Sequence, residues 1–114
     1  MAKRKKMGNI ANKYASKVYI TDDNPRNENP RKIRSTIMKG CSELAVSIGD
    51  RKKAIKNALK ELKSNEVLLI AGKGHEQTQD YGNKILNFSD KEVIKEIINK
   101  KKFSFAKDRY QDFI

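Results

Sequence analysis

The chain has 114 residues, enough for one domain, and its 37% hydrophobic content allows only a modest core. Its net charge is +12, from 26 Lys and Arg against 14 Asp and Glu, and it has one cysteine. A disulfide-stapled scaffold is thereby excluded, and no run approaches the roughly 20 apolar residues of a membrane span.

Residues 1–8 are polar and basic and lack the apolar segment of a signal peptide, so a cytoplasmic location is expected. Ile10 and Tyr14, four residues apart, predict a short helix over 8–15. Residues 18–21 (VYIT) read as a buried strand, and 22–29 as a loop of turn formers. Asn29-Pro30 is a helix start, with Asn as cap and Pro at the first helical position. Ile33, Ile37 and Met38 mark its inward stripe, and Gly40 ends it.

Residues 44–48 (LAVSI) predict the next strand, and Asp50 caps a helix running to about Lys63. Ala54, Ile55, Ala58, Leu59 and Leu62 fall on one face of that helix. Residues 67–71 (VLLIA) are continuously apolar, as in a strand covered on both faces. A structureless loop is predicted over 72–88. Ser89 and Glu92 form a capping box for a helix that turns Val93, Ile94, Ile97 and Ile98 inward. Residues 100–114 read as a polar tail, leaving 1–99 as the domain. Strands alternating with helices predict an α/β fold with a mainly parallel sheet, helices on both faces and right-handed crossovers.

In such sheets ligands sit beyond the carboxyl ends of the strands. Two loops leave those ends here, TDDNPR (21–26) and AGKGHE (71–76), and they are expected to face one pocket. Pro25 stiffens the first loop where Arg26 leaves it, and the planar guanidinium suits a carboxylate. Asp22, Asp23 and Asn24 are acceptors for ammonium or hydroxyl groups. In the second loop Gly72 and Gly74 allow a ligand close to backbone N–H groups, and Glu76 suits an ammonium. Arg26 and Glu76 together match a zwitterionic amino-acid head. His75 is the only histidine and makes a poor metal site alone. Gly72-Lys73 is followed by Gly74, not by Ser or Thr, so the phosphate-loop pattern is not met. A basic α/β nucleic-acid-binding module is the alternative; it accounts for the charge but not for the two loops. The lysines are spread out, and no aromatic stacking platforms alternate with them.

TDDNPR with Asn29-Pro30 and an Ile-bearing helix, then LLIAGKGHEQTQ, then FSDKEV, resembles the C-terminal domain of the Mur ligases. Within that family the pattern is most similar to the members that add meso-diaminopimelate. The likeness runs from Arg4 to Ile98, and KRKKMG resembles the basic opening of that domain's first helix. The resemblance implies a Rossmann-like, three-layer α/β domain and ATP-dependent amide-bond formation in peptidoglycan synthesis. It implies meso-diaminopimelate as the ligand of Asp23, Asn24, Pro25, Arg26, Gly72 and Glu76, with Arg26 on the distal carboxylate. Lys73 and His75 are then candidates for the ATP side or for shaping the loop. ATP, Mg²⁺ and the UDP-N-acetylmuramoyl dipeptide would be held by other domains. The family's domain opens on a strand ending in Gly-Gly-Asp-Arg-Asp, which this sequence lacks; the first strand is expected to be missing, and the chain alone to be inactive.

Overall fold

The structure, a computed structural model, describes residues 2–73 and 75–100. The expected tail of residues 100–114 lies outside them except for Lys100. Helix α1 spans Ala2–Tyr14 and so begins before Gly8, where the sequence pattern placed its start. Its first half is Lys, Arg, Ala and Met, all strong helix formers, and these carry the helix through the glycine. Gly8 is needed where α1 crosses the next helix, because a Cβ there would overlap Ile37 O. Gly40 answers it from the other side, its missing Cβ facing the α1 backbone at Lys5 and Asn9.

Strand β1 is Tyr19–Ile20, and α2 is Pro30–Met38. Asn29 caps α2 as expected, its Oδ1 accepting from Arg31 N at 2.9 Å. Strand β2, Val46–Ser47, pairs parallel with β1, with Tyr19 opposite Val46 and Ile20 opposite Ser47. The pairing continues beyond the ladder through Asp22 N to Gly49 O at 3.3 Å. Helix α3 is Arg51–Glu61, capped by Asp50 accepting from Lys53 N at 3.1 Å.

Residues 67–71 form no ladder among the described residues, which corrects the expectation of a strand covered on both faces. Leu68 and Ile70 pack on the core, whereas Val67 and Leu69 are 92% and 85% exposed. The segment alternates because only the side toward α3 has a partner. A second correction concerns 72–88, expected to be a loop without structure. It contains an antiparallel hairpin, β3 (Thr78–Asp80) and β4 (Ile85–Asn87), with Gln79 opposite Leu86. An Asx turn closes it, Asp80 Oδ1 accepting from Gly82 N at 2.8 Å.

Helix α4, Asp90–Asn99, starts at Ser89, whose hydroxyl accepts from Glu92 N at 3.3 Å. Ile55 and Leu59 of α3 meet Val93 and Ile97 of α4 to form the core, with Leu68, Ile70, Phe88 and Ile94 around it. The fold is α/β, with one parallel strand pair and one hairpin among the described residues. No described helix is long and apolar enough to cross a membrane.

Candidate functional site

The two loops singled out in the sequence meet at their roots. Arg51, the first residue of α3, is 4% exposed and reaches both. Its Nη1 donates to Asp22 O and its Nη2 to Ala71 O, each at 3.2 Å. The same guanidinium is fixed by Asp90, the first residue of α4, through bonds of 2.7 and 2.9 Å. One cation from a helix start therefore ties together the ends of 18–21 and 67–71.

Asp22 is buried and fully engaged. Its carboxylate accepts from Arg34 Nη1 at 2.5 Å and from the Tyr81 hydroxyl at 2.9 Å. Its carbonyl also accepts from Gln79 Nε2 at 3.1 Å. Asp22 is thus an anchor for the loop, its two carboxylate oxygens held by Arg34 and Tyr81. Burial first, and then the bond to Asp22 and that carboxylate's charge, push the Tyr81 phenol up to about 12.

Beyond Asp22 the tips come into contact. Asn24 Nδ2 donates to Glu76 Oε1 at 3.3 Å, and Asn24 Oδ1 accepts from Asp80 N at 2.8 Å. Gly72 has φ +104, which disfavours any side chain, and a Cβ there would stand 3.2 Å from Asp23 Oδ2. Lys73 is buried, with its ammonium 3.3 Å from Asp23 Oδ1. His75 and Glu76 are exposed.

Pro25 is buried, and its carbonyl accepts from Glu28 N at 3.0 Å. Arg26 follows with φ +54, an uncommon conformation for a residue with a side chain. It is held there because Arg26 N donates to Asp80 O at 2.9 Å, so the hairpin braces the loop. Arg4 braces it from α1 with two bonds to Glu28, at 2.9 and 2.7 Å. Those bonds hold the Glu28 carboxyl below its ordinary range. The Arg26 side chain is 66% exposed, and its Nε approaches Asp80 Oδ2 only to 3.9 Å.

The structure thus brings Asp23, Asn24, Gly72, Lys73 and Glu76 together. It does not bring Arg26 and Glu76 to one cavity, as the sequence reading expected. Arg26 lines a cavity of about 820 Å³ with Asp22, Arg31, Arg34, Tyr81 and Asn83, in which neither Gly72 nor Glu76 takes part. The Asn24 amide, bonded to Glu76 on one side and Asp80 on the other, occupies the intervening position. Among the described residues no group of three or more His, Cys, Asp or Glu is placed to hold a metal ion. The residues that sequence reasoning passed over are Arg34, Arg51, Gln79, Tyr81 and Asp90. Asp90 was visible only as an interior member of a capping box, and Arg51 only as one cation in a basic helix.

The family model described as "Mur ligase, glutamate ligase domain" matches residues 1–74. The chain is also similar to relatives named UDP-N-acetylmuramoyl-L-alanyl-D-glutamate–2,6-diaminopimelate ligase. One from Helicobacter pylori (strain J99) is 51% identical over 96 residues, 82% of this chain and 22% of the relative. One from Rickettsia montanensis is 46% identical over 98 residues, 85% of this chain and 20% of the relative. One from Buchnera aphidicola subsp. Baizongia pistaciae is 42% identical over 106 residues, 90% of this chain and 21% of the relative. The chain spans about a fifth of the length of these curated relatives. With the family model covering more than half of its residues, the chain belongs to the Mur ligase family, within its glutamate ligase domain.

Proposed function

We propose that the chain is the amino-acid-recruiting domain of an ATP-dependent ligase that adds meso-diaminopimelate to UDP-N-acetylmuramoyl-L-alanyl-D-glutamate in cytoplasmic steps of peptidoglycan synthesis. The observation that carries this reading is the meeting of the two loop tips, with Asn24 Nδ2 3.3 Å from Glu76 Oε1. It is supported by likeness to relatives of that name over 82–90% of this chain. Glu76, whose side chain is 52% exposed, takes the ammonium of the incoming amino acid. Arg26 takes the distal carboxylate that distinguishes diaminopimelate from lysine. Its hold on Asp80, at 3.9 Å, is too long for a hydrogen bond, so the guanidinium leaves it at little cost. Asp23, Asn24, Pro25 and Gly72 form the wall between them.

ATP supplies the activation of the substrate carboxylate, and this chain's residues orient the amine that attacks it. The carboxylates at the loop tips do not fit Mg²⁺. Asp22 is paired with Arg34 and Asp23 with Lys73, and no cluster of metal ligands stands among the described residues. In the same reading, β1 and β2 belong to a mainly parallel, three-layer sheet with helices on both faces. The test is amino-acid use by the ligase that carries this domain. Diaminopimelate incorporation well above that of L-lysine is expected, and equal use of the two would count against the assignment.

A further inference from the structure

We propose that Lys73 is the positioning residue of this amino-acid site, an internal counter-charge that orients Asp23 and Asn24 and, through Asn24, the carboxylate of Glu76. The inference rests on the reading of the two loops given above. Lys73 is 2% exposed, and its side chain is wholly inaccessible. An ammonium has three N–H donors, and three acceptors surround this one. They are Asp23 Oδ1 at 3.3 Å, Asn24 Oδ1 at 3.4 Å and Thr78 O, while Glu76 Oε1 stands further off at 3.9 Å, in reach of the charge but not of a hydrogen bond. With its side chain shut off from solvent, Lys73 acts through its neighbours and not by touching a nucleotide.

The consequences follow from charge and from the inventory of donors. Asn24 Oδ1 receives both Lys73 Nζ and Asp80 N. Turning the amide over would point its NH₂ at an ammonium and at a backbone N–H, two donors facing donors. The cation therefore fixes which way Asn24 points, and that direction places Nδ2 on Glu76 Oε1. Asp23 Oδ1 is buried and has no hydrogen bond among the described residues, so Lys73 is its counter-charge. Without the ammonium, a carboxylate oxygen and an amide oxygen are both left under-satisfied at the meeting point of the loops.

The full 114-residue chain is compared with Lys73→Met and with a Lys73→Cys, Cys41→Ser double variant. The double variant is alkylated while unfolded, either with 2-bromoethylamine, which restores an ammonium, or with iodoacetamide, which does not. Two signals are read: the Asn24 side-chain amide by NMR, and meso-diaminopimelate binding by calorimetry. The unmodified and aminoethylated proteins are expected to show one ordered, slowly exchanging Asn24 amide and similar affinity. The Met and neutral alkylated proteins are expected to lose that signal and to bind at least about tenfold more weakly. Should Lys73→Met fail to fold, the two alkylated forms still separate charge from bulk. Neutral forms that keep the ordered amide and full affinity overturn the proposal, as does an aminoethylated form that fails to recover the amide. A charge-dependent Asn24 signal in a chain that never binds diaminopimelate would instead remove the amino-acid reading and leave Lys73 as the counter-charge.

Discussion

The Arg51 guanidinium and the Asp90 carboxylate form a buried ion pair with two hydrogen bonds, 2.7 and 2.9 Å long, joining the first turns of α3 and α4. The arrangement has a functional reach, because two further donors of Arg51 hold the carbonyls of Asp22 and Ala71. Asp90→Ala strands a cation in the interior, and an expected cost of about 3–5 kcal/mol follows. The urea midpoint of the full chain measures it. Replacing both partners with apolar residues, Arg51→Met with Asp90→Leu, is expected to cost less than Asp90→Ala alone, because no uncompensated charge remains. A double variant worse than the single one would show that the pair matters through its backbone contacts more than through charge.

Gly82 stands under the Arg26 carbonyl. Its φ is +84, and a Cβ would lie 2.5 Å from Arg26 O and 2.6 Å from Asn27 Oδ1. The backbone oxygen cannot retreat freely, since Arg26 N is tied to Asp80 O at 2.9 Å on the same hairpin. Gly82→Ala is therefore expected to destabilise by about 1–3 kcal/mol and to displace Arg26. Thermal melting reads the first effect, and diaminopimelate affinity the second. An alanine variant as stable as the unmodified chain would mean that the hairpin does not brace the loop.

Much of this was legible from residue patterns, and the failures share a cause. Caps at Asn29, Asp50 and Ser89 are local events, so they fixed three helix starts correctly. Ala54, Ile55, Ala58 and Leu59 are buried as their spacing required. The 67–71 segment was misread because apolarity reports what a strand can bury, whereas Val67 and Leu69 have nothing to bury against among the described residues. The hairpin was missed because Thr78–Asp80 is polar and short, and only its cross-strand partners and Gln79's bond to Asp22 O give it a place. Lys73 was left between the ATP side and a part in shaping the loop, because sequence shows a charge but not its burial. The pairing of Arg51 with Asp90, 39 positions apart, leaves no local trace at all.

Arg26→Lys tests the carboxylate role directly. Lysine keeps the charge but loses the planar fork that donates two parallel bonds. In the ligase carrying this domain, kcat/KM for diaminopimelate is expected to fall by the equivalent of about 2–5 kcal/mol, with KM for ATP nearly unchanged. Arg26 is exposed and its one ion pair among the described residues is long, so stability should not change measurably. A Lys variant with unaltered diaminopimelate kinetics would reject the role, and an equal rise in both KM values would point to domain closure instead.

Tyr81 supplies a pH signature. Its hydroxyl donates to Asp22 Oδ2 at 2.9 Å, and its pKa is pushed from 10.0 up to about 12 by burial, by that bond and by the charges of Asp22 and Asp50, with Arg34 opposing. The folded state holds this proton more tightly than the unfolded state does. The associated stability is therefore complete below pH 10 and is lost as the pH rises from 10 toward about 12. Ionisation would set a phenolate against the Asp22 carboxylate and disturb the partner of Arg34 as well. Tyr81→Phe removes the titrating group, so its urea stability is expected to fall less steeply across that window than that of the unmodified chain. The difference between the two profiles isolates Tyr81 from everything the two proteins share. Absorbance at 295 nm should show a late phenolate component that the Phe variant lacks. Parallel stability profiles through the window would mean that the Tyr81–Asp22 bond makes no net contribution to holding the first loop.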